Sequence, residues 1–278
     1  MDPIPRTHLK ELGIEDVLKQ FTADREPAAV GVQGSFVRGT FDVHSDVDLV
    51  LLYPQADQAP DVQPHRFHDL QERTWSIWRL NLDRVDPAQW SEAQRYCYGH
   101  ETLAYRDPSG KLDALCGQAR FTDRQVHERV AWCVGKIVNR RFYHLDDHGP
   151  AFHGMESGLP DITEARGDFV SAHQWINDTV GLLVNLVFAV NGRPTPSPKS
   201  RIRIMRALPW YPPALGTSLE RLTLVRAHTG QDYRRRKRLL RLMLGLLCDE
   251  ALQRGLLGDD LADLYHAALG PNTDDTIR

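Results

Sequence analysis

One stretch constrains this chain more than any other: Val30 to Tyr53, VGVQGSFVRGTFDVHSDVDLVLLY. Two apolar runs of strand length flank a polar turn that opens on Gly34-Ser35 and closes on Ser45-Asp46-Val47-Asp48. Side chains alternate faces along a strand, so Asp46 and Asp48 point the same way. Two carboxylates on one face at the mouth of a buried strand are costly unless positive charge sits between them. A divalent cation meets that need, and hard oxygen ligands favour magnesium. Gly34 allows the backbone to turn close to an anion with no Cβ in the way. A helix is expected to start at Ser35 or Phe36, with its first amides free to hold that anion. Arg38 either adds a charge-assisted contact or is an exposed helix arginine.

Gly34-Ser35, a spacer and Asp46-x-Asp48, with an apolar strand on each side, resemble the signature of the DNA-polymerase-β-like nucleotidyltransferase superfamily. That superfamily includes the antibiotic and the minimal nucleotidyltransferases. The motif covers about a tenth of the chain. The resemblance implies a two-metal transfer of a nucleoside monophosphate from an NTP, by default ATP, to an acceptor hydroxyl. It implies that Ser35 and the adjacent amides hold the terminal phosphates, and that Asp46 and Asp48 hold magnesium. It also implies a third carboxylate on a later strand. Thr74 to Val85 (TWSIWRLNLDRV) alternates as a strand, and Asp83 falls inside that pattern. Asp86, before Pro87, is the rival and reads better as a helix N-cap. Asp83 would complete one metal's shell and take the acceptor's proton. Ser45 is expected to orient the Asp-x-Asp turn through a backbone bond.

Around this motif the chain alternates. Residues 7–25 carry a helical apolar stripe, Pro54 to Pro64 reads as a loop, and His65 to Glu72 as a short helix. An apolar strand then leads to the turn Asp107-Pro108-Ser109-Gly110. From Thr122 onward the periodicity is helical, with helices over 126–145, 169–190, 219–228, 233–254 and 259–268. These elements give an α+β fold. A small mixed β-sheet nucleotidyltransferase domain, residues 1–120, is followed by an all-helical bundle, residues 121–278, that would bind substrate, with the site in the cleft between them.

Asp146 to Asp168 is long, irregular and acidic. It is either a lid for a cationic substrate such as an aminoglycoside or a solvated loop. The run from Phe188 through Asn191-Gly192-Arg193-Pro194 to Lys199 resembles a subgroup of nucleotidyltransferases with a helical second domain. That likeness implies that Lys199 faces the cleft and neutralises phosphate, with Lys136 as its rival. The basic run Arg234 to Arg238 precedes a leucine-rich segment and reads as the exposed start of a core helix, or as an RNA contact. His144 and His148 stand four apart, but Gly149-Pro150 breaks a helix there, which argues against zinc.

Composition narrows the alternatives. The chain is 41 % hydrophobic and 26 % charged with a net charge of −3, which suits a soluble protein and disfavours a general nucleic-acid binder. No apolar run approaches the roughly 18 residues that span a membrane. The four scattered cysteines and an N-terminus without a secretory signal fit the cytoplasm. The acceptor is expected to be a small molecule. A macromolecular acceptor (protein or tRNA, as in toxin–antitoxin systems) and an inactive nucleotide-binding module are the alternatives.

Overall fold

The computed structural model describes residues 12–22, 25–42, 44–54, 65–68, 73–139, 159–260 and 263. The chain divides into two compact units, Met1–Arg120 and Phe121–Arg278.

The first unit is built on a five-stranded mixed sheet. Its strands are β1 (Ala29–Gln33), β2 (Val47–Tyr53), β3 (His65–His68), β4 (Thr74–Asn81) and β5 (Thr102–Arg106). Their spatial order is β3-β4-β2-β1-β5. β2 pairs antiparallel with β1 and parallel with β4. A strand walled on both sides and covered on both faces needs apolar residues at every position, and Leu49 to Leu52 are completely buried. On one face Val30, Val32, Leu49, Leu51, Trp75 and Ile77 pack against helix α1 (Ile14–Phe21) through Ile14, Val17 and Leu18. The other face is closed by α2 (Glu92–His100) and α3 (Lys111–Ala119). There Ala29 and Leu52 meet Leu112 and Leu115, and Val50 meets Tyr98.

α2 starts at a reciprocal capping box between Ser91 and Gln94. The Asp107–Gly110 turn delivers α3, and the Asp107 carboxylate accepts from the amides of Leu112 (2.9 Å) and Asp113 (3.0 Å). Two expectations are corrected here. Residues 65–68 form a strand, not a helix, because antiparallel pairing with β4 fixes them. β4 ends at Asn81, opposite the last residue of β2, and the chain then turns.

The second unit is helical, but the helix expected over 219–228 is instead Pro213–Thr223, and most of the one expected over 259–268 lies outside the described residues. Its helices are α4 (Asp123–Asn139), α5 (Leu159–Ala165), α6 (Phe169–Val190), α7 (Arg201–Arg206), α8 (Pro213–Thr223) and α9 (Gly230–Gln253). α6 is the apolar centre, with α4, α5 and α9 packed on it. It ends where Asn191-Gly192 lets the chain reverse. Gly192 has φ +68°, and the Arg193 amide bonds back to Phe188 O at 3.0 Å. The segment expected to be irregular contains α5. Glu164 on α5 pairs with Arg234 at 2.7 Å, and Asp168 caps α6 by accepting from the Ser171 amide. Those two acids serve the fold. The rest of the acidic stretch through residue 158, His144 and His148 lie outside the described residues.

The basic run is not wholly exposed. Helical phase turns Arg236 inward with Tyr233, Leu240 and Met243, and it is completely buried. Its Nε donates to Leu222 O at the end of α8 (2.7 Å), Nη1 meets His173 Nδ1 (2.7 Å), and Nη2 donates to Asn177 Oδ1. Carbonyls at a helix C-terminus lack intrahelical donors and favour cations, so this arginine is a cap delivered from a neighbouring helix. Among the described residues, no helix is long and apolar enough to cross a membrane.

Candidate active site

The chemistry-bearing side chains of the first unit converge at one end of the sheet. Registers place Thr102, Gln33, Asp48 and Ser76 in one row across β5, β1, β2 and β4. Gln33 is buried and donates from Nε2 to Thr102 Oγ1 at 2.7 Å. Asp46 stands just ahead of β2, and Asp48 is its second residue. Both acids are partly exposed. Each accepts a neutral hydrogen bond from β4: Ser76 Oγ donates to Asp46 Oδ2 at 2.8 Å, and Trp78 Nε1 donates to Asp48 Oδ1 at 3.2 Å.

The Gly34 turn closes against this pair. Gly34 has φ +78°, and a Cβ there would lie 2.8 Å from Asp48 Oδ2. Its amide donates to Glu101 O at 3.1 Å. A regular helix does not follow. Residues 34–39 form a single turn, ended by Gly39 at φ +68°, with Thr40 N donating to Ser35 O (2.9 Å) and Gly39 N to Phe36 O (3.0 Å). That is the 6→1 and 5→2 bonding of a Schellman motif. The second glycine, five residues after the first, stops the helix expected from Ser35. Ser35 is half-buried on this turn.

Arg38 is not an exposed helix arginine. It forms a buried ion pair with Glu101, with side chains 18 % and 8 % exposed. Burial pushes the Glu101 carboxyl above its ordinary range, and Arg38 opposes that shift. Cys97 lies within the electrostatic reach of both Glu101 and Asp48. Burial first, then those two carboxylates, push its thiol far up, so it stays protonated. A protonated thiol is a poor nucleophile. Ser45 closes the turn before the acid pair: its amide donates to Asp42 O (3.0 Å) and its hydroxyl to Asp42 Oδ1 (2.8 Å).

Asp83 does not join this group. It is exposed, in the turn after β4. β4 runs parallel to β2 with Ser76 opposite Asp48 and continues to Asn81, roughly 16 Å along the sheet at about 3.3 Å per residue, and Asp83 lies in the turn beyond that end. A metal ligand must lie within about 2–2.6 Å of its ion. Asp83 therefore cannot share an ion with Asp48, and its expected proton-accepting role falls with it. Asp86 caps a short 3₁₀ turn, accepting from the Ala88 amide at 2.9 Å. Among the described residues, no group of three or more acids, histidines or cysteines is placed to hold a metal. The residues that sequence reasoning missed are Ser76 and Trp78. The signal was present: Trp75-Ser76-Ile77 repeats the apolar–polar–apolar start of Val47-Asp48-Leu49. Lys199, in the turn before α7, and Lys136, on α4, are exposed residues of the second unit.

The Gly-Ser turn packed on an Asp-x-Asp pair at the head of a central strand coincides with a family match: residues 14–93 match the nucleotidyltransferase domain. Over that span the first unit is similar to a nucleotidyltransferase domain. Such a domain works on an NTP with a divalent metal. Among solved structures, a nucleotidyltransferase-like protein from Exiguobacterium sibiricum is 15 % identical, over 88 % of this chain and 77 % of that chain, with a TM-score of 0.46. No curated protein matches the chain.

Proposed function

We propose that the nucleotidyltransferase domain binds a magnesium–NTP complex, by default ATP, and moves its nucleoside monophosphate to an acceptor hydroxyl on a small molecule of the aminoglycoside kind. The observation that supports this reading is the contact between Gly34 and Asp48. A backbone free of a Cβ, beside a paired carboxylate, leaves room for a phosphate and for the cation that accompanies it. Asp46 and Asp48 fit magnesium, which is commonly held by one or two carboxylates plus substrate phosphates. The bound ion would neutralise charge on the phosphates as pyrophosphate leaves. Gly34 and Ser35 would orient the terminal phosphates. Ser76 and Trp78 would fix the two carboxylates, and Gln33, tied to Thr102, would hold the neighbouring β1 edge.

A second reading, a nucleotide-binding module without transfer, gains from the hydroxyl of Ser76 at the register position opposite Asp48. Thermal denaturation with each NTP, with and without magnesium, tests the common core. A ligand at 100 times its dissociation constant adds about 2.7 kcal/mol. A magnesium-dependent rise in Tm is expected for the wild type and its loss for Asp48→Asn. No shift with any NTP overturns the nucleotide site. Pyrophosphate release on adding an aminoglycoside panel supports transfer to a small molecule. Binding without release under every acceptor supports the second reading.

A further inference from the structure

We infer that Ser76 and Trp78 are positioning residues that commit Asp46 and Asp48 to a single divalent cation bound with the nucleotide, in place of a pair of ions. This rests on the nucleotide-binding reading above and concerns how many metals that site takes.

The parallel register between β2 and β4 is continuous from Val47↔Trp75 to Tyr53↔Asn81. Ser76 is therefore the β4 residue level with Asp48, and Trp78, two residues further along opposite Val50, shares its face. Ser76 is completely buried and Trp78 half-buried. β4 thus meets the two carboxylates with a hydroxyl and an indole N–H, both neutral and both donating. A neutral donor bonded to a carboxylate fixes its orientation. It adds no anionic ligand. Glu101, whose carbonyl accepts from the Gly34 amide, is engaged through its side chain by Arg38.

Coordination then sets the count. One magnesium ion can complete its shell from one or two carboxylates, waters and the phosphates of the nucleotide. A second ion, about 3.5–4 Å away on the acceptor side, would need further protein oxygens of its own. Among the described residues, β4 is the strand beside the pair, and it offers none with a negative charge.

The decisive measurement uses Mn²⁺ as the probe, together with the α,β-methylene analogue of whichever NTP raises Tm. After equilibrium dialysis of the full chain, Mn²⁺ and nucleotide retained by the protein are counted. One Mn²⁺ per bound nucleotide is the expected result. Two per nucleotide in the wild type overturn the inference while leaving the nucleotide site standing. No NTP raising Tm overturns the nucleotide site, and this inference with it. Ser76→Asp, checked for folding by its melt, is expected to raise the count to two. If that variant does not fold, the wild-type count decides alone. Ser76→Ala and Trp78→Phe are each expected to weaken Mn²⁺ about tenfold, the value of one hydrogen bond to an ionised group. Ser76→Thr, which keeps the hydroxyl, is expected to restore it. Equal Mn²⁺ affinity in Ser76→Ala and the wild type overturns the positioning role.

Discussion

Replacing Gly34 by alanine probes the site at its tightest contact. Two costs are separable. The first is conformational: a left-handed residue with a Cβ costs about 1–2 kcal/mol. Alanine's smaller unfolded-state freedom returns about 0.4–1 kcal/mol, so about 1 kcal/mol remains. The second is steric, because the new Cβ would stand 2.8 Å from Asp48 Oδ2. The carboxylate can rotate away at little steric cost, but rotation breaks the bond from Trp78 Nε1 to Oδ1. For a partly exposed charged acceptor that loss is about 1 kcal/mol. The sum is about 2 kcal/mol, and half of it depends on Asp48. A double-mutant cycle isolates that half. Urea unfolding of the wild type, Gly34→Ala, Asp48→Ala and the double variant is expected to give a coupling near 1 kcal/mol, well above the roughly 0.3–0.5 kcal/mol scatter of independent sites. The magnesium–NTP stabilisation should vanish in Gly34→Ala, because the displaced carboxylate no longer faces the phosphate turn. An alanine penalty that is the same with and without Asp48 would refute the reasoning, since the carboxylate would then not lie against the turn.

Two further outcomes follow from buried charge. Arg38→Ala strands the Glu101 carboxylate, and breaking a buried pair by removing one partner costs about 3 kcal/mol or more. Urea unfolding should show that loss, and Glu101→Gln added to Arg38→Ala should recover most of it; no recovery would mean that the pair is not what holds the turn. In the second unit, burial foremost and the Arg236 guanidinium next hold the His173 pKa below its ordinary value, with Asp232 opposing and His228 adding to the effect. His173 thus takes a proton less readily when folded than when unfolded, where it does so near pH 6.5. The unfolded state binds the extra proton, so stability is full above about pH 6.5 and falls as pH drops below it. Urea unfolding between pH 8 and 5 checks this, and His173→Gln is expected to flatten the fall; an unchanged slope would sink the assignment.

Much of the fold was legible because its signals are local or strongly periodic. The twin apolar runs around Gly34-Ser35 and Asp46-x-Asp48 marked β1 and β2, and the 22 residues from Phe169 to Val190 marked α6. What was not legible depended on partners distant in sequence. His65–His68 carries no strand period of its own and is extended because β4 lies beside it. Arg236 was hidden by its charge. Position alone, three after Tyr233 and four before Leu240, puts it on the buried stripe of α9. The turn after Ser35 was misread because the helix signal at Gly34 was weighed without the stop at Gly39.

The misplacement of the third carboxylate has a different cause, and it shows how a sheet limits what sequence alternation can reveal. Leu80 and Leu82 continue the period of β4 past its end, which is why Asp83 looked like a strand residue. A strand lasts only as long as its neighbour can bond it. Tyr53 is the last residue of β2, its carbonyl accepts from the Leu82 amide at 2.9 Å, and beyond that bond the chain turns. Alternation gives the face of a residue, whereas register against the next strand gives its level along the sheet. A metal site needs both. In a parallel pair whose two strands begin together, the residue facing Asp48 must come from the beginning of β4, so Ser76 was the position to inspect. A serine at that level, instead of an acid at the far end, is the difference between one carboxylate too few and three on paper.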